Sequence, residues 1–178
     1  VAALLAARYG QQNDYRLICG NMVKRFRDSQ DPNELHLVAW NCVLAPSAVD
    51  DMQPVIDMAE QLITQAPNER RGLQTKGAVL YRVGQYERAL ETLQRLDAAD
   101  ENADTSSVCT KYLLAMTHQQ LQHTVEAKQT LAEAVARHEK VGTYEQLTQG
   151  GRVYWHPKLT LDLYQKEAQS LIGGERNE

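Results

Sequence analysis

Histidines, cysteines and one pair of aspartates are the side chains of this chain whose types could do chemistry. A zinc or other transition-metal site needs several His, Cys or carboxylate ligands at close spacing. His118 and His123 are the closest two of the five histidines, and they have no acidic or thiol partner at such spacing. The sequence therefore favours a packed histidine at position 118 and predicts no metal site.

The three cysteines are widely separated, and each stands among apolar residues. No Cys-x-x-Cys pair is present to hold a metal or exchange electrons, and an odd number of cysteines does not build a disulfide framework. Free cysteine is among the most buried residue types. Cys19, Cys42 and Cys109 are therefore predicted to be small buried side chains, as expected in a reducing compartment.

Acid–base and nucleophilic catalysis find no support in the spacing of polar residues. Asp50 and Asp51 stand where a helix is expected to begin, so helix capping and the helix dipole explain them. No Ser/His/Asp or Cys/His arrangement follows from spacing, and "QGGRVYWH" lacks the strand and helix that flank a phosphate loop. We therefore predict no catalytic residue, no cofactor and no enzyme activity.

The composition is that of an ordinary folded protein. Of 178 residues, 43% are hydrophobic and 24% are charged, which argues against wholesale disorder. The net charge of −4 argues against a general nucleic-acid binder, and the apolar run "VAALLAA" is too short to cross a membrane. Without an initiator Met or a signal peptide, the chain is expected to be a cytoplasmic piece of a longer protein. An extracytoplasmic position in a membrane-anchored parent is the alternative.

Helical periodicity runs through the chain, whereas strand periodicity is not sustained anywhere. In "LQTKGAVLYRVGQYERALETLQRL", residues 73–96, apolar residues share one helical face before Gly84 and another face after it. Glycine suits the left-handed residue that ends a helix. Gly77 and Ala89 are small enough to let two helices approach closely. This stretch is therefore predicted to be an antiparallel helix hairpin.

The hairpin pattern repeats along the chain. In residues 108–138 the first small position, the turn position and the second small position recur as Ala115, Gln122 and Ala127. A weaker copy upstream has Ala59 in place of Ala89, and the residues before it read as a further helix pair. One hairpin leaves an apolar face uncovered and must stack on its neighbours, so the repetition predicts a helical array.

The small residue, turn glycine, tyrosine and alanine of "GAVLYRVGQYERAL" resemble the core of a tetratricopeptide repeat (TPR). Lys76 departs from that pattern, at a place where an apolar residue is usual. A broader resemblance rests on "YRLICGNMVKRF", "AWNCVLAPSAVDD", "YLLAMTHQQLQH" and "LDLYQKEAQSLI" in this order. These segments are similar to the helical region that follows the kinase or WD40 portions of large serine/threonine protein kinases of planctomycete-type bacteria. No kinase motif occurs in this sequence, so catalysis by such a parent is not expected from this segment.

The predicted fold is an all-α, right-handed superhelix of antiparallel hairpins, a TPR-like solenoid that forms a single domain over 1–178. Helix pairs are expected at about 1–27, 33–66, 70–97 and 108–138. An amphipathic helix at about 157–172 is expected to cap the last hairpin. Its apolar stripe is predicted to be Leu161, Tyr164, Ala168 and Leu171.

In such an array the first helix of each pair lines the concave side. The residues that this rule predicts to line a peptide-binding groove are Trp40, Arg71, Gln74, Tyr81, Arg82, Tyr112, Met116, Gln119 and Gln120. Arginine pairs with carboxylates in a forked geometry, and tyrosine offers apolar area at little entropy cost. The sequence thus predicts a non-catalytic scaffold for a peptide or protein segment, with an acidic segment as the favoured class. Two alternatives stay open: a solvated groove, and a structural or regulatory extension that packs against the kinase or WD40 portion of its own parent.

Overall fold

The computed structural model describes residues 1–98, 104–141, 148–149, 152–153 and 155–174. The helices within these ranges are α1 (Ala2–Arg8), α2 (Gln12–Phe26), α3 (Pro32–Val43), α4 (Gln53–Gln65), α5 (Arg70–Arg82), α6 (Tyr86–Ala98), α7 (Thr105–Gln120), α8 (Thr124–Val141) and α9 (Trp155–Gly173). Two short strands, β1 (Thr148–Gln149) and β2 (Arg152–Val153), pair antiparallel with Thr148 opposite Val153. The prediction of an all-α protein is confirmed, and the TPR-like superhelix stays a prediction.

The chain divides into two compact units, Val1–Thr92 and Leu93–Glu178. In the first unit α1 packs on α2, α2 packs on α3, and α3, α4 and α5 contact one another. In the second unit α7, α8 and α9 contact one another. The single domain that the sequence predicts also stays a prediction.

Three helices end in one kind of turn. Gly10, Gly84 and Gln122 each follow a helix end with a positive φ, of 68°, 77° and 63°. In each turn the following residue donates its N–H to the carbonyl five residues earlier, as His123 does to His118 at 2.9 Å. These bonds form the Schellman motif that ends many helices. The predicted equivalence of Gly84 and Gln122 is therefore confirmed, although the left-handed conformation costs glutamine more than glycine.

Small residues meet where α7 packs on α8. Ala115 and Ala127 are both 0% exposed and form one apolar cluster with Ile172 of α9, against which Leu131 and Leu171 pack. Alanine at this place lets one helix backbone approach the other. The role predicted for Ala115 and Ala127 is confirmed, and α9 closes the same cluster.

The buried stripe of α9 differs from the prediction at its last place. Leu161, Tyr164 and Ala168 are buried as expected, but Ile172 is buried at 4% exposure whereas Leu171 is only half-buried. Steps of four residues from Tyr164 lead to Ile172, which continues the face set by a period of 3.6 residues.

Helix α7 is buried on every side. All residues from Ser107 to His118 are buried, whereas a surface helix buries only one stripe. The hydroxyls of its two buried threonines are satisfied within the helix, since Thr110 Oγ1 donates to the carbonyl of Ser106 at 3.0 Å and Thr117 Oγ1 to that of Leu113 at 2.7 Å. Burying an unpaired hydroxyl would destabilise the fold, and these hydrogen bonds to backbone carbonyls avoid that penalty.

Lys76, which departs from the repeat pattern, also has a partner. Its Nζ lies 3.0 Å from Glu60 Oε2 of α4, and only 19% of the side chain is exposed. The aliphatic stem of a lysine can cover apolar surface while its ammonium group meets an acid. Lysine therefore fills the place of an apolar residue without leaving a buried charge unpaired.

Candidate functional site

In the first unit the predicted groove residues lie on α3 and α5, which contact each other. Trp40 is half-buried and stacks with His36, the ring centroids being 6.0 Å apart and the planes 24° from parallel. Gln74 and Tyr81 are each only 6% exposed, so little of either side chain reaches the surface.

The two predicted groove arginines hold α5 to both ends of α3. Arg71 Nη2 donates to Asn33 Oδ1 at 3.1 Å, near the start of α3. Arg82 Nε donates at 2.9 Å to the carbonyl of Val43, the last residue of α3. Carbonyls in the last turn of a helix have no partner within the helix, so this bond satisfies one of them. Both arginines thus serve the fold, and reversing their charges is expected to weaken it.

In the second unit the predicted groove residues lie on α7. Tyr112 and Met116 are 0% exposed, and the hydroxyl of Tyr112 is 2.9 Å from His138 Nδ1 on α8. Gln119 is half-buried and Gln120 is exposed. Because α8 and α9 both pack on α7, Tyr112 and Met116 are core residues and offer no surface to a ligand.

Two predicted groove residues, Trp40 of α3 and Arg71 of α5, lie beside His36 and Leu37 of α3, which the predicted groove did not include. We call the patch of His36, Leu37 and Trp40, with Arg71 beside them, the α3 face. Leu37 is 49% exposed. Burial, together with the positive charge of Arg71, lowers the pKa of His36 to about 4, and its Nδ1 lies 2.8 Å from Thr75 Oγ1. The imidazole is therefore neutral at pH 7. This face offers a leucine, a neutral stacked ring pair and one cation.

The histidine pair at positions 118 and 123 has a structural explanation. The two Nδ1 atoms are 3.3 Å apart, and the residues are the two that the Schellman turn of Gln122 brings together. Side chains at these two places of the motif often touch. Burial, then the charge of His123, lowers the pKa of His118. Over the described ranges, no three His, Cys, Asp or Glu side chains are placed to hold a metal ion.

One buried lysine of α7 connects this helix to α8 and to the last turn of α6. Lys111 Nζ lies 2.8 Å from Glu133 Oε2 on α8 and 3.0 Å from Asp97 Oδ2 on α6, and the lysine side chain is 10% exposed. Burial by itself would lower the pKa of Lys111, but the hydrogen bonds and charges of both carboxylates raise it. The bond from Lys111 in turn lowers the pKa of Glu133. This cluster has the geometry of a structural ion pair.

The three cysteines are free and buried, at 0%, 1% and 2% exposure for Cys19, Cys42 and Cys109, which confirms the prediction. Burial raises the pKa of Cys109 to about 12. A hydrogen bond to Cys19, and then burial, raises the pKa of Cys42. Because the thiolate is the nucleophile, Cys42 and Cys109 are inert in this setting.

A cleft of about 560 Å³ in the first unit was missed by the sequence reasoning. It lies between α2 and the segment that joins α3 to α4, and it is lined by Arg16, Leu17, Gly20, Asn21, Val23, Lys24, Arg27, Ala48, Val49, Asp50, Asp51 and Pro54. The one sequence signal that could have indicated it is Gly20, a glycine inside a helix and outside the repeat pattern. The residues on the far side of the cleft follow α3, about thirty positions away, and only the fold brings them near α2.

Comparison of the chain with models of protein families, with curated proteins and with solved structures finds no significant match. None of the helices in the described ranges has the length and apolar character that crossing a membrane requires.

Proposed function

We propose that this chain is a non-catalytic, TPR-like protein-interaction domain that binds a peptide or protein segment on the α3 face. The observation that carries the proposal is Leu37, 49% exposed beside the stacked rings of His36 and Trp40. Aromatic and arginine side chains are enriched among residues that dominate binding energy, and the α3 face contains Trp40 and Arg71.

The TPR-like part of the proposal is supported by repetition. The same turn ends three helices, and the two small residues of the second copy meet in its core. A repeat array of this kind presents its first helices side by side, as α3 and α5 lie here. The resemblance to kinase-associated regions suggests one alternative occupant of the α3 face, a segment of the parent chain.

The non-catalytic part is supported by what the reactive side chains do in the fold. His118 and His123 belong to a helix-ending turn, and Lys111 is held between two carboxylates. A cytoplasmic location agrees with three reduced, buried thiols, because disulfides are rare in that compartment.

The test begins with peptides selected on the wild-type chain from a display library of random ten-residue segments. Leu37→Gln keeps a good helix former and removes the apolar contact, so we expect it to weaken the selected peptides at least tenfold. The matched control is Val125→Gln, which removes an apolar side chain that is 75% exposed on α8 of the other unit. Isothermal titration calorimetry gives both dissociation constants. Equal affinities for the two variants would exclude the α3 face.

Segments of the parent chain form a second arm of the same experiment. Tighter binding of a parent segment than of any selected peptide, with the same loss in Leu37→Gln, would assign the α3 face to contacts within the parent. Binding of neither class would contradict the proposed function.

A further inference from the structure

The cleft on α2 has an apolar end and a cationic end. Leu17 is 63% exposed at one end, and Lys24 and Arg27 lie one and two turns beyond Gly20 at the other. The distance along the helix from Leu17 to Arg27 is about 15 Å, at 1.5 Å per residue. An extended segment of about five residues, at roughly 3.3 Å each, has the same length.

Gly20 has no structural task that would require a glycine. A Cβ at this position would meet nothing within 4 Å, and its φ is not positive. Gly72 is different, because a Cβ there would touch Glu69 and Ile63 at 3.5 Å. A glycine inside a helix destabilises it relative to alanine. Because glycine has no side chain, the floor of the cleft is open at position 20.

Some charged residues of the cleft have partners within the protein, and others do not. Arg16 forms an ion pair with Asp50 across the cleft, and Asp51 Oδ1 accepts the N–H of Gln53 at 2.9 Å at the start of α4. Lys24 and Arg27, by contrast, have no hydrogen-bonding or ionic partner among the residues that the structure describes. Lys24, in the last turn of α2, and Arg27, its C-cap residue in helical conformation, are three residues apart, so the two cations are neighbours and repel each other. An anionic ligand would remove that repulsion.

We propose that this cleft binds an extended acidic peptide segment. Two carboxylates of the segment pair with Lys24 and Arg27, and an apolar side chain lies over Gly20 against Leu17. The site is separate from the α3 face and does not depend on the function proposed for it.

The probe is an array of immobilised five-residue peptides, each with one leucine and three acidic residues in every order, so that both chain directions are sampled. A matched array carries lysine in place of the acidic residues. The full chain should be captured by acidic peptides at least tenfold more than by basic ones. The capture should weaken as salt rises from 0.05 to about 0.5 M, because exposed charge pairs are screened.

The blocking variant is Gly20→Met, whose side chain would extend into the cleft. Methionine is a better helix former than glycine, and its Cβ has room, so the melting temperature should not fall. Capture by acidic peptides should drop at least tenfold, whereas Asn13→Met, an exposed residue of α2 that does not line the cleft, should leave it unchanged.

The charge test uses Lys24→Glu/Arg27→Glu, with Arg25→Glu as the control on the same helix outside the cleft. The double variant should abolish capture, and the control should lower it less than twofold. The proposal is overturned if acidic and basic arrays capture the chain equally, or if Gly20→Met and the double variant bind as the wild type does. Leu37→Gln should keep this capture, so failure of the α3 face and failure of the cleft are distinguishable.

Discussion

Gln122 is a residue whose backbone conformation its side chain disfavours. Its φ of 63° is left-handed, a conformation that costs a residue with a Cβ about 1 kcal/mol or more relative to glycine. We therefore expect Gln122→Gly to raise the free energy of unfolding by about 0.5–1 kcal/mol, measured by urea denaturation. Ala132→Gly, at an exposed helical position of α8, should lower it by about 1 kcal/mol. Equal losses in both variants would contradict the left-handed turn.

Lys111 is expected to give the largest effect of any single charged residue in the second unit. Lys111→Ala leaves Asp97 and Glu133 without their cation, and breaking a buried pair costs about 3–5 kcal/mol. Since Glu133 is 43% exposed, water screens part of this loss, and we expect about 2–3 kcal/mol at pH 7. The exposed control Lys166→Ala should change stability by less than about 0.5 kcal/mol.

The pH dependence of that loss follows from the two pKa shifts. The folded pKa of Glu133 lies below its ordinary 4.5, so its contribution is present above that pH and is lost as pH falls through the folded value. The folded pKa of Lys111 lies above 10.5, so its contribution is present below that pH and is lost as pH rises further. Urea denaturation should therefore show a smaller difference between wild type and Lys111→Ala at pH 3 than at pH 7. A constant difference would contradict the ion pair.

At the scale of helices, the close contact of α7 and α8 depends on alanine. Ala127 is 0% exposed in the cluster with Ala115 and Ile172, so Ala127→Leu must displace α8 or α9. Overpacking of this kind costs about 1–3 kcal/mol. The same change at exposed Ala132 should alter stability by less than about 0.5 kcal/mol. Denaturation curves that coincide for the two variants would show that Ala127 is not at the contact.

The helices themselves were the most predictable feature of the chain, because apolar periodicity and turn residues are local signals. Gly84 and Gln122 could be aligned without knowing any distant contact. What periodicity could not show is which second helix covers each face. The rule that first helices line a groove therefore selected Tyr112 and Met116, although α8 and α9 both pack on α7.

At the scale of the whole molecule, the candidate sites depend on contacts between distant parts of the sequence. Arg82 was predicted to line the groove from its position within the repeat. Its hydrogen bond to the carbonyl of Val43, 39 positions earlier, could not be predicted from the sequence. The cleft on α2 was not predicted for the same reason, because the fold brings Asp50 close to Arg16 although the two residues are far apart in the sequence. Residue types near one another in sequence indicated the chemistry, but only the fold decides which side chains stay accessible.

Hydrogen exchange of backbone amides tests the central claim, binding on the α3 face, most directly. The wild-type chain is compared alone and saturated with its tightest selected peptide. We expect slower exchange in peptic fragments that cover α3 and α5, because a bound segment excludes water from the α3 face, and unchanged exchange in fragments of α8. Protection confined to α8, or none at all under saturation, would contradict the claim that this chain binds its partner through the α3 face.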